Sequence, residues 1–244
     1  MKDRRSATRR FLEVELPVLV ILAFALAPYA WMVLTSIKPQ AELSIWPVRY
    51  LPENATLDHY RELISRTTFA GNLLNSFIIA IGAAALGLGV SIPAAYAFSR
   101  FRFRTRRTLM TGFLVINMFP VVLLIIPLFI LMKNLGLLDT FLGVILGHST
   151  FAIPFAIWML TSYFNAIPRD LDEAAMIDGA SRQEAIRLIV LPLVMPGVVT
   201  AGIYIFITSW NEYLFAMMLS GQAVRTVTVA LQLFIGEFTI HGAC

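Results

Sequence analysis

Charge and cysteine are the scarcest features of this sequence, and each shortage excludes a class of protein. Asp, Glu, Lys and Arg make up 14% of the 244 residues, where a soluble domain carries about 25%. Hydrophobic residues reach 58%, so much of the surface must meet lipid. Cys244 is the only cysteine and the last residue, which excludes a disulfide framework and a cysteine metal site. No His, Asp or Glu cluster has metal-ligand spacing, so no metal is expected. No G-x-x-x-x-G-K-[ST] phosphate loop occurs, so the chain should hold neither ATP nor another cofactor. Its Ser, His and Asp residues share no catalytic motif, and no catalytic residue is assigned. The net charge of +4 does not mark a nucleic-acid protein, because the arginines sit in short clusters between apolar runs and not along one face.

Long apolar runs are what the sequence has in their place. A bilayer core about 30 Å thick takes roughly 20 apolar residues of helix. Five segments meet that length: Leu16–Ile37, Leu73–Phe98, Thr108–Met132, Phe141–Phe164 and Gly197–Leu219. They predict an all-α, polytopic integral membrane helix bundle forming one domain over residues 1–244. Pro93, Pro120, Pro127 and Pro154 are expected to kink their helices. The first run follows a basic leader and is read as a retained helix, with a signal segment as the alternative.

Lys and Arg set the expected orientation. Lys2, Arg4, Arg5, Arg9 and Arg10 precede the first run; Arg100, Arg102, Arg104, Arg106 and Arg107 follow the second. Both clusters are predicted to be cytoplasmic. The loop Lys38–Ala70 is charge-balanced and is placed outside, with a short helix near Leu57–Ser65 capped by Asp58 or Thr56. Lys133 and Asp139 lie in the next outer loop. Residues 165–196 are then cytoplasmic, and the chain ends outside.

That cytoplasmic loop carries strong local signals. Asp170-x-x-Glu173 has the form of a capping box, as does Ser181-x-x-Glu184. Gly179 stands between them, where a left-handed residue would end the first helix. Pro192 and Pro196 are expected to end the second helix and open the fifth run. The first helix is too short to be stable alone and must pack on something. Ala174 and Ala175 allow close approach, Leu171, Met176 and Ile177 offer apolar anchors, and Asp172, Glu173 and Asp178 offer charge to a basic partner. From the residues alone, a loop docked on a partner and a loop packed on its own bundle are both open.

Glu173-Ala174-Ala175-x3-Gly179-x9-Ile189-x-Leu191-Pro192 matches the EAA motif of ABC-importer permeases at every fixed position. The longer form, Glu-Ala-Ala-Met-Ile-Asp-Gly-Ala, is similar to the carbohydrate-uptake branch. Asn75-Ser76, Ala95-Tyr96-Ala97, Met118-Phe119-Pro120 and Trp210-Asn211-Glu212 agree with it. The chain thus resembles the smaller permease subunit of the maltose-permease type, with the type I importer permease fold. The resemblance implies a second homologous permease, an ATPase dimer that holds ATP and Mg, an extracytoplasmic sugar-binding protein and a di- or oligosaccharide substrate. It also implies a bacterial or archaeal cytoplasmic membrane. In that family the EAA helix enters a cleft on the ATPase. The resemblance assigns coupling to Glu173, Ala174, Ala175, Met176, Asp178, Gly179, Leu191 and Pro192. The family has a sixth span after the segment resembling Phe234-Ile235-Gly236-Glu237-Phe238, and a sixth span is expected to be missing here.

Asn117, Phe119, Trp210, Asn211, Glu212 and Tyr213 are candidates for a pathway or gate. An ionisable residue in an apolar run is costly, which singles out Glu212. It could act as a clamp between helices, or contact sugar together with stacked Trp210 and Tyr213. His148 is expected to be a hydrogen-bonded structural residue. A subunit of an ion-coupled secondary transporter or channel is the rival class. It would favour ionisable groups along several runs, and apart from Glu212 there are almost none. A non-transport membrane scaffold is a third class.

Overall fold

The computed structural model of the chain describes residues 11–43 and 45–241. The described residues form helices and turns, with no strand among them. They fall into two compact units, Met1–Thr68 and Phe69–Cys244. The basic leader Lys2–Arg10 lies outside the described residues.

The first unit is one long helix and a short structured excursion. A π-helical turn at Phe11–Glu15 leads into α1, Leu16–Ser36. This helix is apolar all round and buries none of its residues in the unit, as a helix solvated by lipid does. Lys38 is 2% exposed because its ammonium sits 4.8 Å from the Trp31 ring centre and donates to the Arg49 carbonyl. After a single helical turn at Gln40–Leu43, the helix α2 spans Asp58–Arg66. Of the two expected caps, Thr56 supplies a bond, accepting from the Asp58 N–H at 3.1 Å. Asp58 is instead the first helical residue, after Leu57 in the cap position.

The second unit is built on three helices: α3 (Phe69–Arg100), α6 (Phe141–Asn165) and α8 (Arg182–Asn211). Each presents a stripe of small or β-branched buried residues at helical spacing. On α3 these are Ser76, Ala80, Ala83, Gly87, Ser91 and Ala95. On α8 they include Val190, Val194, Val198, Ala201 and Ile205. Small residues let helix backbones approach closely where lipid gives no hydrophobic drive to associate. At Gly87 the approach is so close that a Cβ would sit 2.7 Å from Ile205 Cδ1.

Four sequence expectations are corrected. The run Thr108–Met132 is not one kinked helix. It is α4 (Arg106–Met118), a 3₁₀ turn at Val121–Leu124 and α5 (Ile125–Asn134), bent by 98°. Pro120 disfavours helical geometry at the residue before it, and Phe119 is extended at φ −71°, ψ 136°. Pro127 falls in the first turns of α5 and kinks nothing. Pro93 and Pro154 lie within α3 and α6, which run on through them.

The helix after Ser181 does not stop at Pro192 or Pro196. It continues to Asn211, with a π-helical turn at Ile186–Val190 just before Pro192. A wider turn changes the bonding register, which relieves a proline that cannot donate to the turn before it. The run Gly197–Leu219 is interrupted at Glu212, extended at φ −70°, ψ 128°. A short helix, α9 (Leu214–Leu219), follows it. Beyond the last run assigned from sequence lies a further helix, α10 (Val227–His241).

Asp139 ties the loop after α9 to the turn before α6. It has φ 54°. Its Oδ1 accepts from Gly221 N at 2.7 Å and Val224 N at 3.2 Å, and its Oδ2 accepts from Ala223 N at 3.3 Å. Burial pushes this carboxyl up, but the backbone donors of Gly221, Val224 and Ala223 outweigh it and hold the group below its ordinary value. A depressed folded pKa stabilises the fold above the unfolded value, about 3.9 for Asp. That stability is lost as pH falls through the folded value. Asp139→Asn is therefore expected to unfold at lower temperature than the parent at pH 7. In a thermal unfolding series of the detergent-solubilised protein, the gap should narrow below about pH 4.

Candidate functional site

The segment joining α6 to α8 holds a short helix, α7 (Asp170–Ile177). Arg169, not Asp170, occupies its cap position, in helical geometry and with no side-chain cap. The expected Asp170–Glu173 capping box is therefore absent. Asp170, Asp172 and Glu173 instead crowd the first turn, where carboxylates complement the positive end of the helix dipole. The other end closes as the sequence predicts. Gly179 has φ +93°. Its N–H donates to Met176 O at 3.2 Å, and Ala180 N donates to Ala175 O at 3.0 Å. This pair of bonds is the Schellman arrangement. The Ser181 capping box is complete: Glu184 N donates to Ser181 Oγ at 3.3 Å and Ser181 N to Glu184 Oε2 at 2.7 Å. The result is two helices with a fixed turn.

What holds α7 in place is a buried ion pair. Arg100 Nε meets Asp172 Oδ2, with both side chains under 10% exposed, at 5% and 8%. Arg100 Nη1 also donates to the carbonyls of Phe164, at 3.2 Å, and Ile167, at 3.1 Å. A cation at those carbonyls complements the negative end of α6. Arg169 Nη2 donates to Ser99 O at 2.6 Å, and Ser99 Oγ to Asn165 Oδ1 at 2.9 Å. The ends of α3 and α6 and the start of α7 are thus joined by one polar knot. Beside it lies the apolar cluster of Tyr96, Leu160, Phe164, Val190 and Val194.

This corrects the sequence assignment of Asp172, which does not offer its charge to a partner. Arg100, read from sequence only as an orientation signal, is its buried counter-ion. Helical spacing holds a hint of this, since Asp172 and Ala175 are one turn apart and both buried. The remaining motif residues divide. Ala175 is packed inward, while Glu173, Ala174, Met176, Asp178 and Gly179 are exposed. Ile177 is 85% exposed. Leu191 packs against the core cluster within α8, and Pro192 lies exposed beside it.

The second polar cluster lies at the Glu212 break. The Glu212 carboxylate accepts from Phe215 N at 3.0 Å and Ala216 N at 2.9 Å, and so caps α9. Its carbonyl accepts from Thr228 Oγ1 at 3.1 Å. His148, 4% exposed, places Nδ1 2.8 Å from Ser209 Oγ. Its Nε2 lies 3.2 Å from Glu212 Oε2. His148 is therefore the hydrogen-bonded residue that the sequence suggests. Trp210 stacks on Phe206, with centroids 5.8 Å apart. Asn211 donates to Ile207 O at 2.9 Å and Tyr213 to Met217 Sδ at 3.0 Å. Asn117 donates to Phe113 O at 2.9 Å within α4, and Phe119, at the 98° bend, is 52% exposed. Glu212 is thus built into a clamp, whereas Asn117 and Phe119 belong to the bend between α4 and α5. Among the described residues, no group of three or more His, Cys, Asp or Glu could hold a metal ion.

Residues 87–239 match the family described as binding-protein-dependent transport system inner membrane component. The chain is 39% identical to the sulfoquinovosyl glycerol transport system permease protein SmoH of Agrobacterium fabrum, over 90% of this chain and 77% of the relative. It is 37% identical to the trehalose transport system permease protein SugB of Mycobacterium tuberculosis, over 89% and 79%. It is 33% identical to the trehalose/maltose transport system permease protein MalG of Thermococcus litoralis, over 98% and 85%. A solved bacterial ABC transporter involved in import of the acidic polysaccharide alginate superposes with TM-score 0.78 at 26% identity. That match covers 96% of this chain and 86% of the other.

Breaking a buried pair by removing one partner costs about 3–5 kcal/mol, because the other charge is left buried and alone. Arg100→Gln and Asp172→Asn are each expected to lower thermal stability by a cost of that order. The double variant should lose less than the sum. Thermal unfolding of the four forms measures this coupling, and additive losses would contradict the pairing.

Proposed function

The chain belongs to the family of binding-protein-dependent transport system inner membrane components, and from that membership we propose that α7 is the coupling helix of a sugar importer. As a family member it is the multi-pass permease subunit of an ABC importer, which works with an ATPase, a second permease and a substrate-binding protein. It is a transport subunit and not an enzyme. The remaining assignments belong to the proposal. The N-terminus and α7 face the cytoplasm of a bacterial or archaeal cell. ATP and Mg sit in the ATPase dimer. The second permease is a homologue that pairs with this chain as a heterodimer, and the binding protein is extracytoplasmic. The substrate is a di- or oligosaccharide, a class supported by the relatives named for trehalose and for trehalose and maltose.

The observation that carries the reading is the division of α7 into two faces. Asp172 and Ala175 point into the bundle. Leu171, Met176 and Ile177 stand exposed, Ile177 most of all, with Glu173 and Asp178 beside them. An apolar tip flanked by acids suits a cleft with an apolar floor and a basic rim. Closure of the ATPase pair would press this tip, and the Arg100 knot would carry the push to α3 and α6. Glu173, Ala174, Met176, Asp178 and Gly179 act at the contact. Ala175, Leu191 and Pro192 act behind it by fixing α7 and α8. Asn117, Phe119, Trp210, Asn211, Glu212 and Tyr213 bound the pathway, with Glu212 holding it and not binding sugar.

Ile177→Asp puts a charge at the most exposed apolar position without touching the bundle. Co-purification of the ATPase with this variant is expected to fall sharply while membrane abundance stays unchanged. Full co-purification would contradict the docking. Gly179→Val places a β-branched residue at positive φ. It is expected to leave the protein in the membrane but to lower uptake driven by ATP and binding protein in proteoliposomes. Normal uptake and normal stimulated ATPase would overturn the lever.

A further inference from the structure

The coupling knot uses Arg100, but the arginines that follow it have no role in it. Arg102, Arg104, Arg106 and Arg107 have no acidic partner among the described residues. Phe101 and Phe103 alternate with them and are 44% and 38% exposed. From this segment α4 rises, and Arg107, Thr108, Thr111, Gly112 and Val115 line an open groove of about 470 Å³. These positions recur at helical spacing, so they form one stripe about 12 Å long. Phe113 lies on the opposite side of α4 and packs edge-on against Phe98, with centroids 5.6 Å apart. The stripe therefore faces away from the bundle. At Gly112 a Cβ would meet nothing within 4 Å, so the groove is open there.

The groove changes character along its length. One end is a guanidinium and two hydroxyls in a field of unpaired arginines. The other is a glycine and a valine on an apolar helix. That gradient matches an amphiphile with an anionic head. We propose that this groove binds an anionic phospholipid, its phosphate on Arg107 and Thr108 and an acyl chain along Gly112 and Val115. Uncompensated basic residues beside a membrane helix attract anionic headgroups, with each Arg or Lys worth about five-fold in affinity. Exposed aromatics sit readily at headgroup level, and Phe101 and Phe103 flank Arg102 at the start of the cluster. The site requires the orientation given above, with this segment at the inner leaflet, but not the docking of α7.

The test is native mass spectrometry of the intact importer complex in detergent, titrated separately with phosphatidylglycerol, phosphatidylcholine and glycerol 3-phosphate. Phosphatidylglycerol is expected to be retained at least about five-fold better than phosphatidylcholine. Glycerol 3-phosphate, which has the head but no chain, should not be retained. Arg104→Gln with Arg107→Gln should weaken phosphatidylglycerol about 25-fold. Thr111→Trp, which fills the groove and removes no charge, should abolish its retention. Equal retention of the two lipids would overturn the proposal. So would undiminished retention by either variant, or arginine variants that shed the ATPase and keep the lipid. Uptake that stays intact while lipid retention is lost would leave the transport reading standing.

Discussion

The ion pair between Arg100 and Asp172 is the constraint on which the working end of this permease depends. α7 has eight residues, well below the length at which an isolated helix is stable. Its turn and caps give it shape but no attachment. Attachment comes from one guanidinium that reaches the Asp172 carboxylate and the carbonyls of Phe164 and Ile167 together. Arg169 adds a second link to the end of α3 through Ser99. Buried pairs contribute little net stability compared with apolar replacements but are costly to break. Here the balance is tilted further, because Arg100 Nη2 and Asp172 Oδ1 are buried without a partner. The pair is best understood as a device that fixes direction. It joins the outward-facing tip of α7 to α3 and α6, which pack on each other and on α8.

The far end of the bundle uses polar groups in another way. Two helices are interrupted there and at the α4–α5 bend, and each interruption frees backbone groups that must be satisfied inside the protein. At Glu212 the carboxylate caps α9 while His148 and Ser209 lock the residue to α6 and α8. An ionisable residue in an apolar segment is thus accounted for by the break in the chain. At Phe119–Pro120 the chain turns through 98° with exposed side chains on the bend.

Some of this was legible from residues alone. The glycine at 179 and the Ser181–Glu184 box specify their own geometry through local bonds, and they appear where the spacing predicts. The apolar runs mark the long helices because burial in lipid depends on composition over about 20 residues. Interactions between distant segments were not legible. The charge of Asp172 looks like an offer to a partner until α3 brings Arg100 beside it. The prolines misled in both directions. Pro120 broke a helix that was expected only to kink, whereas Pro192 follows a π-helical turn that no sequence signal announced and Pro196 lies within the helix that runs on through it. Whether a proline bends, breaks or is tolerated depends on where the freed carbonyls find donors, which is a tertiary matter.

The central claim is that α7 and the end of α3 move as one body. It is tested most directly by spin labels at Asp178 and at Ala97 in the last turns of α3, in a chain with Cys244→Ser, assembled with its partner subunits. The distance distribution between the labels is measured with and without trapped ATP. The account predicts that the two distributions superimpose, while a label pair joining Asp178 to the corresponding position of the second permease shifts between states. A shift in the Asp178–Ala97 distance on trapping ATP would mean that α7 moves independently of α3. It would contradict the claim that the Arg100–Asp172 pair transmits the push.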